Sequence, residues 1–313
     1  MLKGFFTRLG HWSLLVGVVN LSKRIVLPGF EGLSLNNVGQ FFWRGLQEDA
    51  LNEKAAAVTF NVFLAMFPGI LFLFTLISYV PIEDFGIILL LLLERVIPEK
   101  TFDAVLVTLE DIVSRQRGGL LSFGFLSALY FSLRGVRSLI HSVNNLMYAR
   151  ETRNALKQVV AALQLVFILA GLTLFAMALI IFNQFVLDNL VKFPLLEKHG
   201  IRLLFNVLQW IIIVGIYFLA ISFIYFLTPA VKTGFRFISA GSTLATLLSF
   251  LVTLGFNFYI NNFSKYNILY GSVGTIVIFL LWLYVHSLVL LIGFELNVSI
   301  HTAKRNSESK EGT

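Results

Sequence analysis

"YGSVGTIVIFLLWLYVHSLVLLIGFELN", residues 270–297, carries no Asp, Glu, Lys or Arg before Glu295, and one histidine, His286. An α-helix rising about 1.5 Å per residue needs roughly 20 apolar residues to cross about 30 Å of hydrocarbon. The stretch therefore reads as a membrane-spanning helix. Its carboxylate lies near the C-terminal end, where the helix dipole already concentrates negative charge, so Glu295 requires a cation.

Five further stretches have the same character. The chain has 313 residues, 57% of them hydrophobic and 13% charged, against about 25% charged in soluble domains. The hydropathy predicts an all-α polytopic membrane protein with six transmembrane helices at about 55–81, 118–136, 158–187, 203–228, 237–261 and 270–299. Residues 1–54 form the cytoplasmic and interfacial N-terminal part, 55–301 the transmembrane domain and 302–313 a short polar tail expected to be disordered. Phe5, Leu9, Trp12, Val16 and Val19 share one helical face, which predicts an N-terminal interfacial amphipathic helix rather than a cleaved signal. The run at 85–97 is too short to span before Glu94 and Arg95. The apolar residues from Phe102 to Val113 recur at helical spacing and predict a periplasmic helical segment between the first two spans. With no cysteine, the chain has no disulfide, thiolate nucleophile or cysteine-bound metal.

Orientation follows from Lys and Arg. Sixteen fall on the side holding both termini and eight on the other, which places both termini in the cytoplasm. The formal charge of +7 is accounted for by this asymmetry, and nucleic acid is not expected as a partner.

Polar residues inside the spans are the candidate functional groups. Arg134 and Arg137, at the end of a short second span, are the nearest cations expected for Glu295, with Asp49 and Glu53 completing a cytoplasmic ionic cluster. In the fifth span Ser242, Thr246, Ser249, Thr253, Asn257, Asn261 and Ser264 form a stripe down one helical face. Such a stripe is either hydrogen-bonding glue between helices or the wall of a polar path. Asn61 and Pro68 of the first span are placed to face the same interior, since a mid-helix proline frees a backbone carbonyl. His286 is read either as a neutral packing residue or as a member of that path.

Three ordered blocks resemble the YihY/BrkB family of bacterial inner-membrane proteins. The last carries Tyr266-Asn267, Tyr270-Gly271-Ser272, Leu281-Trp282-Leu283-Tyr284 and Gly293, Glu295, Leu296, Asn297. The first carries Asp49, Ala55 to Ala57 and Phe67-Pro68, and the middle one Gly135, Arg137, Asn145, Tyr148, Glu151 and Arg153. The chain departs from the pattern at Phe60-Asn61, at Pro229-Ala230 and at His286. The resemblance implies a six-helix fold, an envelope or virulence role in some members, and a ribonuclease label attached to the family. That label fits poorly, since a metal-dependent nuclease needs convergent carboxylates or histidines on an aqueous face. The expectation is a transporter or permease of a small solute, ion or lipid component that is not an enzyme and uses no cofactor. The alternative is a non-transporting scaffold in envelope biogenesis. Membrane lipids, a second copy of the chain or an envelope protein are the partners compatible with either.

Overall fold

The computed structural model describes residues 22–23, 25–48, 50–77, 79, 106, 116–146, 153–190, 199–230, 236–263 and 266–311. The expected N-terminal interfacial helix, the run at 85–97 and the helical segment at 102–113 lie outside these, apart from the single residue Leu106. Seven helices are described: α1 (Leu35–Glu48), α2 (Leu51–Ile77), α3 (Gly118–Leu146), α4 (Ala155–Leu190), α5 (His199–Leu227), α6 (Ala240–Phe263) and α7 (Tyr266–Glu311). Six of them, α2 to α7, are long and apolar enough to cross a membrane. The chain is a multi-pass, all-helical membrane protein. Between 11% and 28% of each span's most apolar window is buried within the protein. The outward surface is correspondingly apolar, with Phe67, Phe175, Trp210 and Leu254 among its exposed side chains, as lipid contact requires.

The chain divides into two compact units, one formed by residues 57–138 and the other by 1–56 with 139–313. In the first, α2 and α3 run antiparallel: Gly135 lies against the Asn61 backbone, and Gly124 lies against the Phe72 backbone. Pro68 sits inside α2, which continues unbroken from Leu51 to Ile77. The helix lacks an N–H donor there for the Leu64 carbonyl.

In the second unit α4 packs on α5, α5 on α6, α6 on α7, and α7 on α1. Amphipathic α1 turns Val38, Phe41 and Phe42 inward against Leu296, Ile300 and Ala303 of α7, joined by Phe30 from the preceding loop. That loop is tied by Phe30 N–H to the Leu27 carbonyl, at 3.1 Å, and by Leu35 N–H to the Ile25 carbonyl, at 2.9 Å. One expectation is corrected here. Residues 302–311 belong to α7 instead of forming a disordered tail. Burial of Ile300 and Ala303 beneath Phe30 and Val38 holds this last stretch, and Lys304 donates to Glu31 at 2.7 Å.

Candidate functional site

The motif Gly293, Glu295, Leu296, Asn297 lies where α7, α6 and α1 meet. Ser239 is the N-cap of α6: its hydroxyl accepts the Ser242 N–H at 3.1 Å, and its own N–H donates to the Ser242 hydroxyl at 3.1 Å. This is a capping box with serine in both places. Asn297 reaches across from α7, accepting the Gly241 N–H at 2.8 Å and donating to the Ser239 hydroxyl at 2.9 Å. Its one amide thereby satisfies a donor that the first turn of α6 would leave orphaned. A turn higher, Gly293 lies under Ala245, the Gly241 carbonyl and the Tyr225 hydroxyl, with no room for a β-carbon. Small residues let the two helix backbones touch, as in membrane helix pairs generally. Tyr225 of α5 closes the corner, donating to the Leu290 carbonyl at 2.6 Å and packing edge-on against Phe294.

Glu295 is 3% exposed. The Ser299 hydroxyl, one turn on, donates to its Oε1 at 3.1 Å, and the carboxylate lies directly over Gly45 of α1. A β-carbon at Gly45 would collide with that oxygen, so the glycine lets α1 cover the charge. Arg134 and Arg137 are exposed on α3 and belong to the other unit, Glu53 is exposed in the first turn of α2, and Asp49 lies outside the described residues.

The stripe on α6 divides in two. Ser242, Thr246 and Ser249 are buried, whereas Thr253 and Asn257 are exposed. Thr246 donates to the Ser242 carbonyl and Thr253 to the Ser249 carbonyl, each at 2.8 Å. The side chains of Asn261, Ser264, Tyr266, Asn267, Tyr270, Gly271 and Ser272 lie outside the description. At the division, His286 approaches Thr253, its Nε2 lying 3.4 Å from the hydroxyl, while its Nδ1–H donates to the Trp282 carbonyl at 3.0 Å. The imidazole also lies against the Trp282 ring, with centroids 4.2 Å apart. Thr253 has a single hydroxyl proton, directed at Ser249. A protonated imidazole would complete the relay by donating to it, whereas a neutral one leaves Nε2 and the hydroxyl to share. His286 and Thr253, both singled out by sequence, are thus brought together. Asn61, by contrast, donates to the Ala57 carbonyl of its own helix at 2.8 Å, a purely local bond in the other unit. Tyr284 donates to the Asn52 side chain at 3.2 Å, pinning α7 to the start of α2.

Several contacts of this architecture had no part in the sequence reading. Arg153 caps α5, donating to the Thr228 carbonyl at 3.0 Å and the Leu227 carbonyl at 3.4 Å, where a cation also meets the negative helix end. Asn144 accepts the Ala230 N–H at 2.9 Å. Gly45 gave no signal at all, because a lone glycine in a helix does not disclose what lies above it. Ser239 could have been found from the Ser-x-x-Ser spacing at the start of the fifth span.

A family model described as "Virulence factor BrkB" matches residues 42–313. A Bacillus subtilis protein named ribonuclease-like YfkH is 25% identical over 81% of this chain and 91% of its own length. A Haemophilus influenzae protein named a UPF0761 membrane protein is 24% identical over 84% of this chain and 95% of its own length. An Alkalilimnicola ehrlichii protein of the same name is 27% identical over 80% of this chain and 55% of its own length. No solved structure matches.

Proposed function

Because the chain belongs to the BrkB family of multi-pass membrane proteins, we propose that it is a permease of the bacterial inner membrane moving a small solute, an ion or a lipid component. The observation that carries this reading is the divided stripe on α6. Polar side chains exposed within a span are disfavoured by hydrocarbon and favoured by water or a solute. Thr253 and Asn257, with His286 beside the first, would wall the open half of a path. The buried Ser242, Thr246 and Ser249, sealed by the contact of Gly241 with Gly293, would form its closed floor. Glu295 remains part of the proposal as a buried charge that acts in gating. An activity loss in Glu295→Gln, with folding and insertion unchanged, would support it.

A second reading, a scaffold without transport, is favoured by one feature. Thr246 and Thr253 give their hydroxyl protons to their own helix's carbonyls, which satisfies them without any path. A catalytic role is not part of either reading. The ribonuclease-like name belongs to YfkH, and among the described residues no group of three His, Asp or Glu side chains is placed to hold a metal.

Cysteines introduced into this cysteine-free chain at Thr246, Thr253 and Asn257 separate the readings. Under the permease reading a membrane-impermeant thiol reagent modifies positions 253 and 257 and spares 246. Protection of all three would favour the scaffold. Proteoliposome flux under imposed proton, sodium and potassium gradients, lost in Thr253→Leu, would then identify the coupling ion.

A further inference from the structure

Beside the three-helix junction a groove of about 1000 Å³ opens between the loop at 27–31, the start of α6 and the last turns of α7. Its two ends differ in chemistry. At one end stand Arg236, Lys304 and Arg305, all exposed, with the carboxylates of Glu31 and Glu308 beside them. At the other, along α6, Leu247 presents bare apolar surface, 59% exposed, while Ile238, two residues from Arg236 and 66% exposed, adds apolar surface beside the charged end. Ser239 and Leu247 are separated by roughly 12 Å along α6 at the helical rise. The groove therefore passes from charge to hydrocarbon over about the depth of a lipid headgroup and its glycerol.

We propose that this groove binds the phosphodiester headgroup of an acidic phospholipid, with the acyl chains leaving past Ile238 and Leu247. Charge complementarity selects this occupant. Lys304 is already committed to Glu31, at 2.7 Å, so the three cations and two carboxylates leave a surplus of one positive charge, matched by a singly charged headgroup. Arg236 and Arg305 supply it, and a guanidinium grips phosphate oxygens in a fork. The Gly241 N–H is bonded to Asn297 and the Ser242 N–H to Ser239, so these two backbone donors of α6 take no part and recognition rests on side chains. Basic pockets at the ends of membrane helices take lipid headgroups for this reason. The inference stands apart from the transport reading, because a scaffold would carry the same groove.

The test is native mass spectrometry of the full-length protein with phosphatidylglycerol or chain-matched phosphatidylcholine, alone and with inorganic phosphate in excess. Retention of one phosphatidylglycerol per chain is expected, over phosphatidylcholine and undiminished by phosphate. The Arg236→Ala/Arg305→Ala double variant should bind it roughly 25-fold more weakly, at about fivefold per basic side chain near a membrane surface. Both arginines are exposed, so its melting temperature should match wild type. Leu247→Trp, which narrows the apolar end without altering charge, should also weaken retention, and Arg44→Ala, an exposed cation on α1, should not. Equal retention of the two lipids would overturn the proposal. So would a loss in Arg44→Ala as large as in the double variant, since that would be diffuse surface charge. Displacement by inorganic phosphate would make the groove a site for the soluble anion and would equally overturn the lipid assignment.

Discussion

Asn297 shows how a single amide can join two membrane helices. Its oxygen and nitrogen are both used on α6, and the residue is 5% exposed, so truncation would leave the Gly241 N–H unsatisfied in a place water does not reach. Asn297→Ala is expected to destabilise the protein by about 1–3 kcal/mol, the combined scale of a lost cap and a lost buried hydrogen bond. Asn297→Asp keeps the acceptor for Gly241 N–H, and the Ser239 hydroxyl can turn to donate to it, but it buries a second charge two residues from Glu295. It should melt between wild type and Asn297→Ala at neutral pH, and thermal unfolding in detergent orders the three. An alanine variant as stable as wild type would show that α6 is capped by Ser239 alone. Glu295 illustrates the reach and the limit of reading a residue from sequence. Its place at the end of the apolar run demanded a cation, but α7 continues to Glu311, so the negative helix end lies elsewhere, and the Ser299 hydroxyl, four residues on in the same helix, donates to the carboxylate. Its cover, Gly45, lies 250 positions earlier, with no chemistry of its own to announce the contact.

Between elements, contact distance sets the energetics. Gly241 and Gly293 put α6 and α7 backbone to backbone, and a β-carbon at either position meets backbone atoms of the facing helix, which cannot rotate away. Gly293→Ala should therefore cost about 1–3 kcal/mol by overpacking and force the helices apart. At Gly45 the obstructing atom is the flexible end of Glu295, so the cost there should depend on that side chain. Gly45→Val is expected to lower the melting temperature, and Glu295→Ala in the same chain should recover part of the loss. A double-mutant cycle with a coupling energy near zero would mean that α1 does not rest on the carboxylate. The same distinction explains which elements were legible. The six spans came from hydropathy because membrane insertion is decided locally, by the apolarity of about 20 consecutive residues. The end of α7 was misjudged because NSESKE is polar by any local measure. Its helicity depends on α1 and the loop at 25–34, which are remote in sequence. The stripe on α6 was visible as a period, but its division into a buried and an exposed half was not, since the period gives a face and not what covers each part of it.

On the scale of the whole molecule, charge and structure bear on the same question of orientation. Sixteen of the 24 Lys and Arg residues fall in segments that the hydropathy assigns to the side of both termini. The groove with Arg236, Lys304 and Arg305, the Asn297 cap and the covered Glu295 stand at that end of the second unit. If this end is cytoplasmic, the groove faces the leaflet whose surface potential attracts basic side chains, and the exposed part of the stripe on α6 looks toward the periplasm. Reporter fusions read this directly. A fluorescent protein at the C-terminus should fold and fluoresce, and alkaline phosphatase fused within residues 191–198 should be active. The reverse pattern would invert the molecule, moving the Glu295 junction to the periplasmic face. Reversal is least expected where the asymmetry is strongest. Replacing Arg134, Arg137, Arg153 and Lys157 together removes four positive charges from one side, which still leaves twelve against eight. The fusion at the C-terminus should therefore still fluoresce in that variant, at a level reduced in proportion to the fraction of chains that insert inverted.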